Sequence, residues 1–198
     1  MNHSRDKEIR QAVLKRYDGV AKSPRASFSY ATGREGLLKL GYGKEFVESL
    51  PLSVAESFCG VADPLMDGKI LPGETVLDVG CGAGVDLIRA ALMTGPGGYV
   101  YGVDLTSAMV QRATENITLM NIANARAEEA VAESLPFPDE SFDVVTSNGV
   151  LNLSPQKGEC FAEIRRVLKP GGRLYLADMI LEDETAYNPE CDLDAWSA

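Results

Sequence analysis

The stretch from Glu74 to Asp104 constrains the fold of this chain more than any other part of the sequence. Its residues predict a strand, a glycine-rich turn, a helix and a second strand. Gly80, Gly82 and Gly84 allow a tight turn and a close approach of the backbone to a ligand, and the helix that follows begins with unpaired N–H groups. Asp104 lies about 20 residues beyond Gly84, at the end of the second strand, where a carboxylate can accept both hydroxyls of a ribose. The sequence therefore predicts a site for a cofactor that contains a nucleoside.

Predicted helices and strands extend along the rest of the chain. An amphipathic helix is predicted at 6–18, where Ile9, Val13 and Tyr17 recur every four positions, and a loop rich in Gly, Ser, Pro and Ala follows it. The segment near 124–128 is poor in β-branched residues, so its pattern fits a strand or a helix. The complete prediction places short helices at 34–40, 44–49 and 52–58, strands at 74–79, 99–103, 124–128, 142–147 and 173–178, and longer helices at 84–93 and 156–168, the last ended by Pro170, Gly171 and Gly172. A further helix, capped by Thr106 or Ser107, includes the apolar stripe of Met109, Ala113, Ile117 and Met120.

Strands that alternate with helices imply right-handed crossover connections. We therefore expect an α/β fold with a mostly parallel, doubly wound sheet. In such sheets the ligand binds beyond the carboxyl ends of the strands. The glycine turn, Asp104 and the pair Ser147 and Asn148 all fall at predicted strand ends, so three separate parts of the sequence point to one rim.

Composition excludes several classes of function. The formal net charge of −10 argues against a nucleic-acid partner, and no apolar run approaches the length of a membrane span. The charged N-terminus lacks the apolar core of a secretion signal, so we expect a cytoplasmic protein. His3 is the only histidine, which argues against a histidine base. The cysteines at 59, 81, 160 and 191 lie far apart, so we predict neither a disulfide framework nor a metal site.

Four segments, in this order, resemble the S-adenosylmethionine-dependent methyltransferases of the Rossmann-like class: VLDVGCGAG, GVD, LPFPDESFDVV and RRVLKPGGRL. The glycine spacing is G-x-G-x-G, which differs from the G-x-G-x-x-G of NAD-dependent dehydrogenases. The resemblance covers roughly residues 70–180 and implies S-adenosylmethionine as the cofactor. It also implies a set of contacts, which are Asp78, Gly80, Cys81, Gly82 and Gly84 near the methionine part, Asp104 on the ribose, Leu105 and Thr106 beside the adenine, and Asn148 on the same rim. The acid that meets the adenine amino group in this class is replaced by Val131, and Glu129 or Glu133 could substitute for it.

A more specific resemblance is to the arsenite methyltransferases. The segment SNGVLNLSPQK at 147–157 is similar to their S-N-C-V-x-N-L-S-P-x-K, and GVADPLMDGKILPGETVLDVGCGAG is also similar to that family. The segment KRYDGVA places Tyr17 where the family tyrosine helps to cover the cofactor.

The cysteines of that family are not reproduced. Arsenite is a soft centre that thiolates hold, and the family draws its cysteines from three places. Gly149 stands at one of them, Val61 is near the second, and the chain ends at 196–198 close to the third. Cys59, two positions from Val61, is the candidate catalytic thiol; the alternative is a small apolar residue beside a helix end.

The resemblance implies methyl transfer to As(III) or to another soft small acceptor. Such an acceptor carries its own lone pair and needs no strong base, whereas an oxygen or nitrogen acceptor could use Asp178 or Glu182. One alternative is a methyltransferase that acts on a different small molecule after loss of the cysteines. Another is an inactive, truncated cofactor-binding domain.

The same comparison predicts three regions. They are a helical cap or lid at 1–69, the cofactor-binding core at 70–181 and an acidic, truncated tail at 182–198. Methyltransferases of this class complete the sheet with an antiparallel hairpin, but the residues after the fifth strand are polar and acidic. We therefore expect the hairpin to be absent, which leaves the fifth strand open to a partner or to a second copy of the chain.

Overall fold

A computed structural model describes residues 3–23, 28 and 30–180. Within these residues a five-stranded sheet has the order β3-β2-β1-β4-β5, and all neighbouring strands are parallel. The strands are β1 Thr75–Val79, β2 Tyr99–Asp104, β3 Ala125–Glu129, β4 Phe142–Asn148 and β5 Leu168–Ala177. The order reverses between β1 and β4, so the crevice that binds ligands in such folds is expected at the carboxyl ends of these two strands. The predicted α/β, doubly wound fold is confirmed.

Helices cover both faces of the sheet. The described helices are α1 His3–Val20, α2 Gly33–Lys39, α3 Lys44–Ser49, α4 Leu52–Ala55, α5 Val85–Thr94, α6 Ser107–Leu119 and α7 Lys157–Val167. Successive residues of a strand point to opposite faces. Val76 accordingly packs in a core with α2 to α5 and part of α6, while Leu77 packs in a second core with α7. A third, smaller cluster joins Val20 of α1 to the glycine turn and to α6.

Two predictions on the sheet need correction. The segment after α6 forms strand β3, so the helical alternative is wrong there. Its residues pair along β2 from Val100 opposite Ala125 to Asp104 opposite Glu129, and this pairing outweighs their weak strand propensity. Strand β5 begins at Leu168, five residues earlier than predicted, and the segment Pro170 to Gly172 forms an irregularity within the strand, where the register against β4 shifts.

The predicted acidic tail and the absent hairpin concern residues 182–198, which lie outside the described residues, as do Glu182 and Cys191. The division of the chain at residue 70 and the partner on the outer edge of β5 stay predictions. None of the described helices combines the length and apolar character that a membrane span requires.

Candidate functional site

A cavity opens at the carboxyl ends of β1 and β4. Its walls come from five places, which are the glycine turn and start of α5 at 78–83, 85 and 86, the end of β2 at 103–106, the segment after β3 at 130–133, the end of β4 with the turn after it at 148–150 and 153–155, and residues 57–60. Arg10, Val13 and Tyr17 of α1 close it from one side. The predicted residues Tyr17, Cys59, Asp78, Gly80, Cys81, Gly82, Asp104, Leu105, Thr106 and Asn148 line this cavity, whereas Gly84, Glu129 and Asp178 do not.

Two glycines of the turn that line the cavity have left-handed backbone. Gly80 has φ 72°, and an added Cβ would lie 2.2 Å from Val150 Cγ2. Gly82 has φ 51°, and an added Cβ would have no heavy atom within 4 Å, so this position faces open space in the cavity. Gly84 does not line the cavity. It precedes α5 with φ 86° and packs against Ala113 of α6, 3.1 Å from the place of an added Cβ. Its requirement for glycine therefore comes from helix packing.

Asp104 ends β2 and is tied to the glycine turn. Its Oδ2 accepts the Gly82 N–H at 2.9 Å and its Oδ1 accepts the Thr106 N–H at 2.9 Å. Each oxygen of a carboxylate has a second lone pair, so both can still accept hydroxyl groups from a ligand. Burial raises the pKa of Asp104, against the two backbone hydrogen bonds that lower it. The arrangement suits a pair of neighbouring hydroxyls.

Asp78 at the end of β1 is buried, with 2% of its surface exposed. Thr146 Oγ1 donates to its Oδ1 at 2.9 Å, while its Oδ2 is buried without a hydrogen-bond partner among the described residues. Burial raises the pKa of Asp78 to about 8, and the charge of Asp86 adds to the rise. A buried carboxylate oxygen without a donor is costly unless a ligand supplies one. The cavity therefore fits a cationic N–H donor beside Asp78.

The raised pKa of Asp78 predicts a pH dependence of stability. An unfolded aspartate titrates near pH 4, so between that value and about 8 the folded protein holds an extra proton. The stabilisation is complete below the unfolded pKa and is lost as the pH rises through the folded one. We expect the thermal midpoint of the ligand-free protein to fall between about pH 5 and pH 8. The fall should be smaller in Asp78→Asn, and an equal fall in both proteins would contradict this account of Asp78.

The two cavity cysteines are both protonated at neutral pH. Burial raises the pKa of the Cys59 thiol to about 12, and the charges of Asp104 and Asp86 add to the rise. Burial also raises the pKa of Cys81, whose Sγ lies 3.8 Å from the Gly82 carbonyl oxygen. Cys160 is fully buried on α7, outside the cavity. Cys59 is thus a neutral thiol facing the cavity when no ligand is bound.

Gly149 lies on the cavity wall with φ 70°, directly after β4. An added Cβ would lie 3.0 Å from Val61 Cγ1. This contact and the left-handed backbone both disfavour a larger side chain here. Position 149, where the similar segment of the arsenite methyltransferases has a cysteine, is therefore tightly packed in this protein.

Polar contacts join helix α1 to the segment after β3 and to the residue before α7. Arg10 Nη2 lies 3.3 Å from Glu133 Oε1, which also accepts the hydroxyl of Ser154 at 2.6 Å. Gln156 Nε2 donates to Asp6 Oδ2 at 2.9 Å. Burial raises the pKa of the Tyr17 phenol, so this side chain presents a neutral ring to the cavity.

The residues considered for the adenine amino group have different surroundings. Val131 lines the cavity. Glu133 also lines it, but its Oε1 is occupied by Arg10 and Ser154. Glu129 is exposed and does not line the cavity.

Sequence reasoning missed Tyr42 and Asp86. Asp86 lies in the first turn of α5, where an acid is usually explained by the helix dipole, yet it is buried and lines the cavity. Tyr42 lies 44 residues earlier, and its hydroxyl donates to Asp86 Oδ1 at 2.7 Å. The acid directly after the glycine turn was the available signal for Asp86, whereas no local pattern distinguishes Tyr42.

Comparisons with known proteins agree with this geometry. Residues 70–196 match a family described as a methyltransferase domain. An arsenite methyltransferase of Halobacterium salinarum is 37% identical over 187 residues, which are 87% of this chain and 48% of that protein. A demethylmenaquinone methyltransferase of Listeria monocytogenes is 38% identical over 110 residues, which are 56% of this chain and 46% of that protein.

A solved structure also resembles the described fold. It is an arsenic(III) S-adenosylmethionine methyltransferase from Chlamydomonas reinhardtii, with a TM-score of 0.60 and 35% identity over 65% of this chain and 46% of that chain. The chain spans about half the length of the curated relatives it matches.

Proposed function

The chain belongs to the methyltransferase-domain family, and from this premise we propose that it binds S-adenosylmethionine in the cavity and transfers a methyl group to a small acceptor. The observation that carries the proposal is the meeting of Asp104, the glycine turn and the unpartnered Asp78 Oδ2 on one cavity wall. This wall offers acceptors for the two hydroxyls of a ribose and for an ammonium group, both of which this cofactor carries.

Each part of the wall has a proposed task. Asp104 accepts the ribose hydroxyls, Asp78 Oδ2 accepts the ammonium group of the methionine part, and Gly80 to Gly82 let the backbone pass close to the cofactor. Leu105, Thr106 and Val131 flank the adenine. The bound cofactor supplies a methyl group activated by a sulfonium. The chain aligns the acceptor with that methyl group and excludes water, which lowers the entropic part of the barrier.

We also propose that α1 is a lid over the cofactor. Arg10, Val13 and Tyr17 face the cavity, and the contact of Arg10 with Glu133 joins the helix to the opposite rim. A lid supports displacement chemistry because it keeps water away from the activated methyl group.

For the acceptor we propose As(III) or another soft small species. The names of two relatives support arsenic, and the cavity supports a neutral, soft acceptor. The residues that line the cavity include Phe58, Cys59 and Val150. Binding of arsenite to Cys59 would form a sulfur–arsenic bond and break an arsenic–oxygen bond, and the thiol proton would leave with that hydroxyl as water. An arsenic lone pair attacks the methyl group directly and requires no histidine.

Replacing Cys59 with serine tests the acceptor. We expect transfer of a labelled methyl group from S-adenosylmethionine to arsenite, in the presence of a thiol, to fall at least about tenfold. The cofactor affinity, measured by calorimetry, should change little. Cys160→Ala is the control because it removes a thiol outside the cavity. An unchanged rate in Cys59→Ser would reject this residue as an arsenic ligand.

The second candidate is a methyltransferase for a different small molecule, such as a quinone-like ring. Glycine at 149, packed against Val61, favours it because no second thiol stands at that position. The demethylmenaquinone methyltransferase relative supports the same class. Transfer to a quinol but not to arsenite would select this candidate, and cofactor binding without transfer to either would indicate a binding domain.

A further inference from the structure

We propose that Tyr42, Asp86 and Asn148 form a clamp that positions the acceptor wall, defined as residues 59–62, of which Cys59 and Gly60 line the cavity. That this segment faces a methyl acceptor rests on the proposed function. The clamp itself can be tested without any turnover. It assigns Asn148 a positioning task in addition to its place on the cofactor rim.

Asn148 uses its whole side-chain amide on this wall. Its Oδ1 accepts the Val61 N–H at 2.9 Å and the Ala62 N–H at 3.3 Å, and its Nδ2 donates to the Ala62 carbonyl oxygen at 2.8 Å. The contact is so close that a Cβ added to Gly60 would lie 2.4 Å from Nδ2. One side chain at the end of β4 therefore binds the backbone of a segment that is 86 residues away in the chain.

Asp86 and Tyr42 in turn bind the side chain of Asn148. Asp86 Oδ2 accepts Asn148 Nδ2 at 2.9 Å, and Asp86 Oδ1 accepts the Tyr42 hydroxyl at 2.7 Å. The Tyr42 oxygen also lies 3.1 Å from the Ala62 carbonyl oxygen and 3.1 Å from Asn148 Nδ2. Because Asp86 accepts on both oxygens, it determines which way the amide of Asn148 faces.

The clamp is supported from outside the cavity. The Arg89 guanidinium lies 5.0 Å from the centre of the Tyr42 ring and pairs with Asp63, which follows the acceptor wall directly. The Tyr42 ring also meets Phe58 edge to face at 5.2 Å between centroids. The tyrosine is therefore held by its ring, and loss of its hydroxyl alone should leave that packing in place.

The consequence is that the acceptor wall has one defined position relative to the rest of the cavity. The clamp holds Val61 beside Gly149, so that a Cβ added to Gly149 would lie 3.0 Å from Val61 Cγ1. It also holds the segment in which Cys59 lines the cavity. None of the three clamp side chains has to touch the acceptor for this effect. They are positioning residues, and their loss should let the acceptor wall move.

Alkylation of Cys59 by iodoacetamide reports on that movement in the ligand-free protein. Tyr42→Phe removes the hydroxyl and keeps the ring and every charge, whereas a change at Asp86 would also remove a charge that raises the pKa of Cys59. We expect Tyr42→Phe to increase the Cys59 alkylation rate about tenfold, the effect of losing one hydrogen bond to a charged group. Cys81 and Cys160, followed separately by mass spectrometry, should keep their rates. Tyr99→Phe is the matched control because it removes a phenol hydroxyl outside the cavity.

The pattern of rates across the cysteines separates positioning from general damage. Equal rises at all three cysteines, or no rise at Cys59 in Tyr42→Phe, would each overturn the clamp.

Turnover provides the second readout. With arsenite and thiol as the acceptor, Tyr42→Phe should raise the acceptor KM about tenfold and leave the cofactor affinity within about twofold. If the wild-type protein transfers no methyl group, the proposed function fails and the alkylation result still decides the clamp.

Discussion

Asp104→Ala is expected to weaken binding of S-adenosylmethionine by about 100-fold or more. The carboxylate would lose two hydrogen bonds to the ribose hydroxyls, and bonds to a charged group are worth about 1.5–3 kcal/mol each. The same change releases the Gly82 and Thr106 N–H groups from Asp104, so the glycine turn also becomes less ordered. Both effects act on one ligand, which is why this substitution has the largest expected effect.

Isothermal titration calorimetry checks the expectation, with circular dichroism to follow stability. Asp143→Ala is the matched control. Asp143 also accepts a backbone N–H, that of Thr75 at 2.9 Å, but it does not line the cavity. The control should lose stability and keep its cofactor affinity. Asp104→Ala with an affinity within about threefold of the wild type would remove the basis for the cofactor site.

Gly82→Asn should strongly weaken cofactor binding with little loss of stability. The position has φ 51°, a conformation that asparagine tolerates better than most residues. Its added atoms would enter the open space of the cavity, because no heavy atom lies within 4 Å of the Cβ position. The cofactor and the new side chain would compete for this volume, so we expect the affinity to fall at least about 100-fold.

Gly41→Asn is the control for this experiment. Gly41 has φ 89°, also has open space around an added Cβ, and does not line the cavity. Calorimetry should find wild-type affinity in Gly41→Asn, and both variants should unfold within a few degrees of the wild type. Full affinity in Gly82→Asn would show that the cofactor does not pass over the glycine turn.

Patterns that depend on neighbouring residues led to correct predictions. The turn at Gly80 and Gly82 was predicted from the glycine spacing. Both residues have left-handed backbone, which glycine adopts without steric cost, so the signal lies within a few residues of the sequence. The parallel sheet was predicted from strands alternating with helices, since short connections leave few topologies open. The strand end at Asp104 follows from the same local alternation.

Features that depend on contacts between distant segments were missed or uncertain. Strand β3 was ambiguous because its pairing with β2 outweighs its own propensity. The contact of Gly84 with the cofactor stays a prediction, and its packing against Ala113 is a contact that its own neighbours in the sequence do not reveal.

The sequence by itself determined the α/β fold, the glycine turn and the end of β2 at Asp104, because backbone conformation and side-chain period are local properties. Only the tertiary structure decided that Asp86 meets Tyr42, that Asn148 binds the wall at 59–62, and that Arg10 of α1 meets Glu133. Those contacts join segments that are 44 or more residues apart. They depend on how the helices pack on the sheet, and packing is set by the shape and burial of all the side chains together.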